Sequence, residues 1–251
     1  MINISNLNLY KDNSSIFQKF IALTNQKEVL IDKVCNKIIS NIKKEKLNLL
    51  DIGCADGFVT LTIIDKIKEL YQLDITVVES SAELINQFQQ KTDYKINFIN
   101  ENVELLENIP QSDFILLAHV ISYINGLDKF LEKIIDSLNE NALALIVVSN
   151  ESSEDKKVLQ SKIIKDDITD SIKNILSKKN IKYDIEVVES EINVSGVKDM
   201  SEDGRTIIEF FKHDKIENIP LNEVNNIKDA ILSIAKNNKL KKLENYIWIT
   251  K

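Results

Sequence analysis

The stretch Leu49-Leu50-Asp51-Ile52-Gly53-Cys54-Ala55-Asp56-Gly57-Phe58 decides how the rest of the chain is read. A short apolar run ends in an acidic residue and a turn that holds two of the five glycines of this 251-residue sequence. A residue without Cβ lets the backbone bend tightly and approach a ligand closely. Residues 58–70 then show helical spacing, so the segment reads as a strand, a turn and a helix.

The unit repeats downstream. Residues 75–78 read as a strand with a helix at 82–90, residues 96–99 as a strand, residues 114–118 as a strand with a helix at 127–138, and residues 142–148 as a fifth strand. Strands rich in Ile, Leu and Val that alternate with helices indicate a parallel sheet covered on both faces. Right-handed crossovers make such a sheet doubly wound. Upstream, apolar residues from Ile16 to Ile42 recur at three and four, giving two amphipathic helices broken near Thr24 and Asn25. Beyond Asn150 the rhythm stops. Residues 166–177 read as a capped helix, 183–194 as an alternating antiparallel-type strand, 201–211 and 221–235 as helices, the second entered through Pro220, and 246–250 as a closing strand. The expected fold is α/β: a Rossmann-like doubly wound sheet of five parallel-type strands plus a C-terminal antiparallel pair, flanked by helices.

Bulk composition narrows the function classes. Hydrophobic residues at 43% and charged residues at 28% are ordinary for a globular protein, and no repeat or linker-like boundary interrupts the chain, so residues 1–251 are read as one domain. A net charge of −7 and a sequence pI near 5.1 disfavour a phosphate backbone as partner, so no nucleic acid is expected. No apolar run reaches the roughly 20 residues needed to cross a bilayer, and the first ten residues lack a basic region followed by an apolar block. A cytoplasmic protein without a membrane partner is expected, with a monomer favoured. Cys35 and Cys54 form neither a disulfide framework nor a zinc spacing, so no metal is expected. The lysine-rich runs at 43–46 and 239–242 read as solvated surface.

Ligands of doubly wound sheets bind outside the carboxyl ends of the strands, which places the 53–57 turn at the site. Its spacing departs from the dinucleotide fingerprint: Ala55 stands where the second glycine is needed, and Gly57 comes one residue early. Asp51 and Asp56 would repel bound phosphates and favour a sulfonium or ammonium group. An NAD-dependent oxidoreductase, which the same sheet would permit, is therefore disfavoured.

The string Leu49 to Gly57 resembles the first motif of class I S-adenosylmethionine (SAM)-dependent methyltransferases, and the likeness runs over roughly residues 47–150. It implies SAM as cofactor, held by Asp51, Gly53, Cys54, Ala55, Asp56 and Gly57. It also implies an acidic residue closing the second strand, and Glu79, with Ser80 beside it, follows Ile75-Thr76-Val77-Val78 about twenty residues on, where a carboxylate can take the ribose hydroxyls. Glu101 and Asn102 follow the third strand at the adenine position, with Asn102 standing where Asp is the commoner choice. Ala118 closes the fourth strand, where the family positions the methyl acceptor.

A narrower resemblance is to the histamine N-methyltransferase family. It is carried by Tyr10, Phe17 and Phe20, by Val78-Glu79-Ser80-Ser81-Ala82-Glu83, by His119-Val120-Ile121-Ser122-Tyr123, by Leu145-Ile146-Val147-Val148-Ser149 and by the closing strand. It implies a small-molecule amine as acceptor. Gln26, His119 and Tyr123 are then substrate contacts, although Gln26 replaces a Glu of that family and His119 a Gln. Residues 1–45 would be a helical cover, 46–150 the SAM-binding core, and 151–251 the substrate cover and closing strands. As catalytic residues, His119 could accept a proton near neutral pH and Tyr123 could shape the pocket or stabilise cationic character. Methylation of a hydroxyl or a protein, and a SAM-binding protein without catalysis, are the remaining alternatives.

Overall fold

A computed structural model of the chain describes residues 14–158 and 168–251. Tyr10, the Phe17 side chain and residues 166–167 of the expected capped helix lie outside the described residues. The chain opens with α1 (Ser14–Ile21) and α2 (Gln26–Asn41), then runs through β1 (Lys46–Ile52), α3 (Phe58–Ile67), β2 (Gln72–Val78), α4 (Ala82–Gln89), β3 (Ile96–Ile99), β4 (Ser112–Ala118), α5 (Leu127–Asp136) and β5 (Leu138–Ser149). It continues with α6 (Glu154–Val158), α7 (Ile168–Lys178), β6 (Lys182–Asn193), α8 (Glu202–Lys212), α9 (Leu221–Ile234) and β7 (Lys239–Thr250).

The strands form one seven-stranded sheet in the order β3-β2-β1-β4-β5-β7-β6. Strands β1 to β5 pair in parallel, and β7 lies antiparallel against β5, with Val147 opposite Tyr246 and Ser149 opposite Glu244. This is the doubly wound sheet with a C-terminal antiparallel addition that the alternation of elements implies. From β1 the chain winds outward through β2 and β3, then returns to β4 on the other side of β1. The reversal opens a crevice at the carboxyl ends of β1 and β4, the usual ligand position in such sheets. Because β7 runs antiparallel, its early residues lie at the same end of the sheet as the tips of β4 and β5.

The chain divides into two compact units. The larger draws its described residues from Leu30–Asn150, Lys165–Val188 and Glu244–Lys251. Its core joins Leu50, Ile115, Leu117, Ile146 and Ile247 of the sheet with Leu131 and Ile134 of α5 and Ile172 and Leu176 of α7. Burial of such aliphatic side chains stabilises by about 1.5–3 kcal/mol each, and this is what holds the strand tips in register. The helix expected at 127–138 stops at Asp136, because Leu138 pairs with Ser112 and starts β5.

The smaller unit draws its described residues from Met1–Val29, Glu151–Ile164 and Glu189–Leu243. Phe20 of α1 stacks on Phe210 of α8, with ring centroids 3.5 Å apart. Ile207 and Phe211 of α8 share a core with Val224, Ile227 and Ile231 of α9. The lysine run at 239–242 is not solvated surface as a whole. It opens β7, and Lys242 is buried with its ammonium 3.3 Å from the carboxylate of Asp155, because alternation along the strand turns Leu240 and Lys242 inward. The run at 43–46 is exposed throughout, as expected, and Lys44 in addition pairs at 2.6 Å with the buried Asp113.

Candidate active site

The site is built at the tips of β1, β2 and β4, all within the larger unit. Beyond β1, Gly53 donates its N–H to Val78 O at 2.8 Å, and Gly53 and Gly57 both hold φ at +77°. Space as well as conformation demands glycine here. A Cβ on Gly57 would fall 2.3 Å from the Phe88 ring of α4, and one on Gly53 would meet Val120 at 3.1 Å. The turn is thus packed between the segments that follow β2 and β4. Ala55, at the crest, also takes a left-handed φ of 49°, which is uncommon for a residue with Cβ.

Glu79, directly after β2, points back into this turn. Its Oε2 accepts the Ala55 N–H at 3.2 Å, and its Oε1 accepts the Ser81 N–H at 2.9 Å and the Ser80 hydroxyl at 3.4 Å. Behind the turn, Asp51 is buried and accepts the Thr60 hydroxyl at 2.5 Å. Burial foremost pushes the Asp51 carboxyl up to about 7; the Thr60 hydrogen bond opposes this and the Glu79 charge adds to it. Such a pair of carboxyl groups gains from a nearby cation. Burial likewise drives the Cys54 thiol upward, reinforced by the charges of Asp51 and Glu79, so Cys54 is a packing residue of the turn and not a nucleophile. Asp56 pairs with Lys91 at 2.6 Å.

Past β3, Asn100 donates its side-chain amide to Glu79 O at 2.8 Å, tying a third strand tip to the other two. Glu101 and Asn102 are exposed. Glu101 accepts the Asn102 N–H at 3.0 Å, and Asn102 Oδ1 accepts the Glu104 N–H at 3.0 Å, capping the short turn Val103–Leu105. Ala118, half-buried, ends β4, and His119 follows with φ at 59° and its N–H bonded to Val147 O at 3.0 Å. The imidazole Nε2 lies 2.7 Å from Oε1 of Glu244, whose side chain is 1% exposed against 38% for His119. Tyr123, in the turn Ile121–Tyr123, is 38% exposed. Gln26 belongs to the smaller unit, where it is buried at the start of α2 and its N–H meets Thr24 Oγ1 at 3.4 Å.

Residues 24–185 match the model of the methyltransferase domain family. The chain belongs to that family. It is 26% identical over 109 residues to a ubiquinone biosynthesis O-methyltransferase of Rickettsia typhi, covering 43% of this chain and 44% of that protein. The corresponding protein of Rickettsia prowazekii is 25% identical over 130 residues, half of each chain. The chain thus spans about half the length of the curated relatives it matches. Among solved structures, it shares the fold of the plantazolicin methyltransferase BpumL, determined in complex with SAH, at a TM-score of 0.59 and 17% identity, over 100% of this chain and 91% of that one. YcgJ from Bacillus subtilis shares it at a TM-score of 0.55 and 14% identity, over 86% and 96%. The fold is the one implied by the resemblance to class I SAM-dependent methyltransferases.

Sequence reading passed over Thr60, Asn100 and Glu244. Thr60 sits in the first turn of α3, a position with no motif to mark it. Asn100 follows a short strand, with no motif to set it apart from Glu101 and Asn102. Glu244 stands two residues before the expected closing strand, and only the antiparallel pairing of β7 with β5 brings it to the tip of β4.

Proposed function

We propose that this methyltransferase-domain protein transfers the methyl group of SAM to a hydroxyl of a small molecule, with His119 as general base. The observation that carries this reading is the closure of the glycine turn onto Glu79 at the switch point, with His119 at the adjoining strand tip. The residues present fit the cofactor. Glu79 Oε2 can accept a further hydrogen bond beside that of the Ala55 N–H, and the long 3.4 Å Ser80 contact at Oε1 can give way to a second, as ribose hydroxyls require. The Asp51–Glu79 pair favours the positive charge of a sulfonium and its amino group. The turn's main chain, Glu79, Glu101 and Asn102 would hold it. When bound, SAM supplies an electrophilic methyl group for in-line displacement.

The chain's own task is then to hold the acceptor in line and to receive its proton. An amine can lose its proton to water before attack. A hydroxyl becomes a good nucleophile only as its proton leaves, so a base in the transition state matters more. His119 therefore favours the hydroxyl, in keeping with the Rickettsia relatives, which are named O-methyltransferases. The amine nitrogen expected from sequence is the second reading, supported by the half-exposed aromatic ring of Tyr123, four residues after His119 in the chain.

Calorimetric titration tests the cofactor. SAM and its demethylated product should bind saturably and NAD should not. Glu79→Ala should weaken SAM binding by about 10- to 150-fold, as loss of a charge-assisted hydrogen bond implies. Saturable NAD binding with none of SAM would overturn the reading.

A further inference from the structure

We infer that Glu244 is a positioning residue for methyl transfer: its buried carboxylate holds the His119 imidazole by Nε2 and turns the ring's other nitrogen toward the acceptor proton. The inference rests on the reading of His119 as base and adds to it the residue that makes it effective. Three features carry it. First, the contact is short: His119 Nε2 lies 2.7 Å from Glu244 Oε1, an ion-pair distance.

Second, burial is unequal. The carboxylate is enclosed at 1% exposure, while the imidazole is 38% exposed. Enclosing an ionised carboxylate is costly without a partner. A structural ion pair is better served by lysine or arginine, which stay charged throughout the neutral range; histidine there exchanges its proton. The arrangement spends a buried anion on a proton-exchanging ring at a strand tip, the order of parts found wherever an acid orients a histidine base.

Third, the backbone is arranged for the contact. His119 adopts a left-handed φ of 59°, a conformation that costs a residue with Cβ about 1 kcal/mol or more. The His119 N–H to Val147 O bond fixes the strand tip. Val147 in turn lies opposite Tyr246, and Ser149 opposite Glu244, so the antiparallel strand delivers the carboxylate to the end of the sheet where β4 finishes. In this proposal the ring proton sits on Nε2, facing Glu244, which leaves the proton-accepting lone pair on Nδ1. Nδ1 would take the proton that a hydroxyl acceptor loses as its oxygen bonds to the methyl carbon, and the C–S bond pair would stay on the sulfur of SAM. The imidazolium formed is stabilised by the anion behind it.

The chain has two histidines, so ring N–H signals can be assigned by nitrogen-15 NMR with His213→Gln as a reference. In the wild type the His119 Nε2 proton should exchange slowly with solvent. Glu244→Leu, which removes the acceptor and suits a buried site, should speed that exchange at least about tenfold while SAM affinity stays within about twofold. Single-turnover methylation of catechol gives the kinetic arm: Glu244→Gln should lower the rate by about 10- to 1,000-fold with the catechol half-saturation unchanged, and Glu244→Asp should recover part of the loss. A fast-exchanging wild-type ring proton, or a Glu244→Gln rate equal to wild type, overturns the role of Glu244. A His119→Ala rate equal to wild type overturns the base reading instead. If catechol is not methylated by the wild type, ring-proton exchange decides.

Discussion

Two aspartates, each 3% exposed and set on the paired strands β1 and β4, have opposite chemistry. At the amino end of β4, burial alone would raise the Asp113 carboxyl, but donors surround it: Lys44 at 2.6 Å, the Asn48 N–H at 2.9 Å and the Asn139 amide at 2.9 Å. Together they hold it below the usual carboxylate range. At the carboxyl end of β1, the Thr60 hydroxyl opposes burial at Asp51 and does not prevail, so that carboxyl is pushed up to about 7. The same side chain, equally closed to solvent, is finished by its donors at one end of the sheet, and at the other is unfinished, both more deeply enclosed and short of them. A carboxylate supplied with donors is complete within the fold, whereas one short of them would gain from a cation brought by a ligand.

The largest expected effect lies at the finished end. Asp113→Ala strands the Asn48 N–H and the Lys44 ammonium together, and should cost about 3 kcal/mol in urea unfolding. SAM affinity of the folded fraction should stay at the wild-type value. A loss under about 1 kcal/mol would mean that water replaces the carboxylate, and the contrast between the two ends would fail. Next comes the turn beside Asp51. Gly57→Ala places a Cβ 2.3 Å from the Phe88 ring at a φ of +77°, which should cost about 2 kcal/mol and weaken SAM binding as the turn shifts. Adding Phe88→Leu should return part of the stability, because it removes the ring that the Cβ strikes. If the double variant is no better than the single, backbone conformation and not space is the reason for glycine there.

These two ends differ as well in how far they can be read from sequence. The doubly wound sheet was legible because its strands are short aliphatic runs between helical patterns, and Asp51, the glycines and Glu79 were legible because a local motif carries them. The donors of Asp113 were not, since Lys44 stands in a run of charges that resembles solvated surface, and Asn139 lies where the helix pattern runs on to Leu138. β7 was under-read for a similar reason: lysines at 239, 241 and 242 mask the alternation that buries Leu240, Lys242 and Glu244. Glu244 reaches His119 only through pairing across 125 positions of sequence, which no local spacing encodes. Local chemistry is written in local sequence; partners supplied by sheet topology are not.

The smallest effect is also the most specific to the unfinished end. Asp51 has its folded-state carboxyl raised, so its contribution to stability is present below the unfolded carboxyl range near 4 and is lost as pH rises through about 7. Asp113, lowered in the folded state, contributes in the opposite sense: its share is present above that range and is lost as pH falls. Unfolding measured at pH 5 and pH 8 should therefore show wild type losing stability on the alkaline side relative to Asp51→Asn, whose amide keeps the Thr60 hydrogen bond without titrating. A bound cation favours the ionised form of Asp51, so SAM binding near pH 7 should release about half a proton. Calorimetry in buffers of different ionisation enthalpy would register that release in the wild type and its absence in Asp51→Asn. Equal proton release in both would locate the linkage elsewhere, and Asp51 would then be a buried acid of the fold like Asp113, distinguished from it only by having fewer donors.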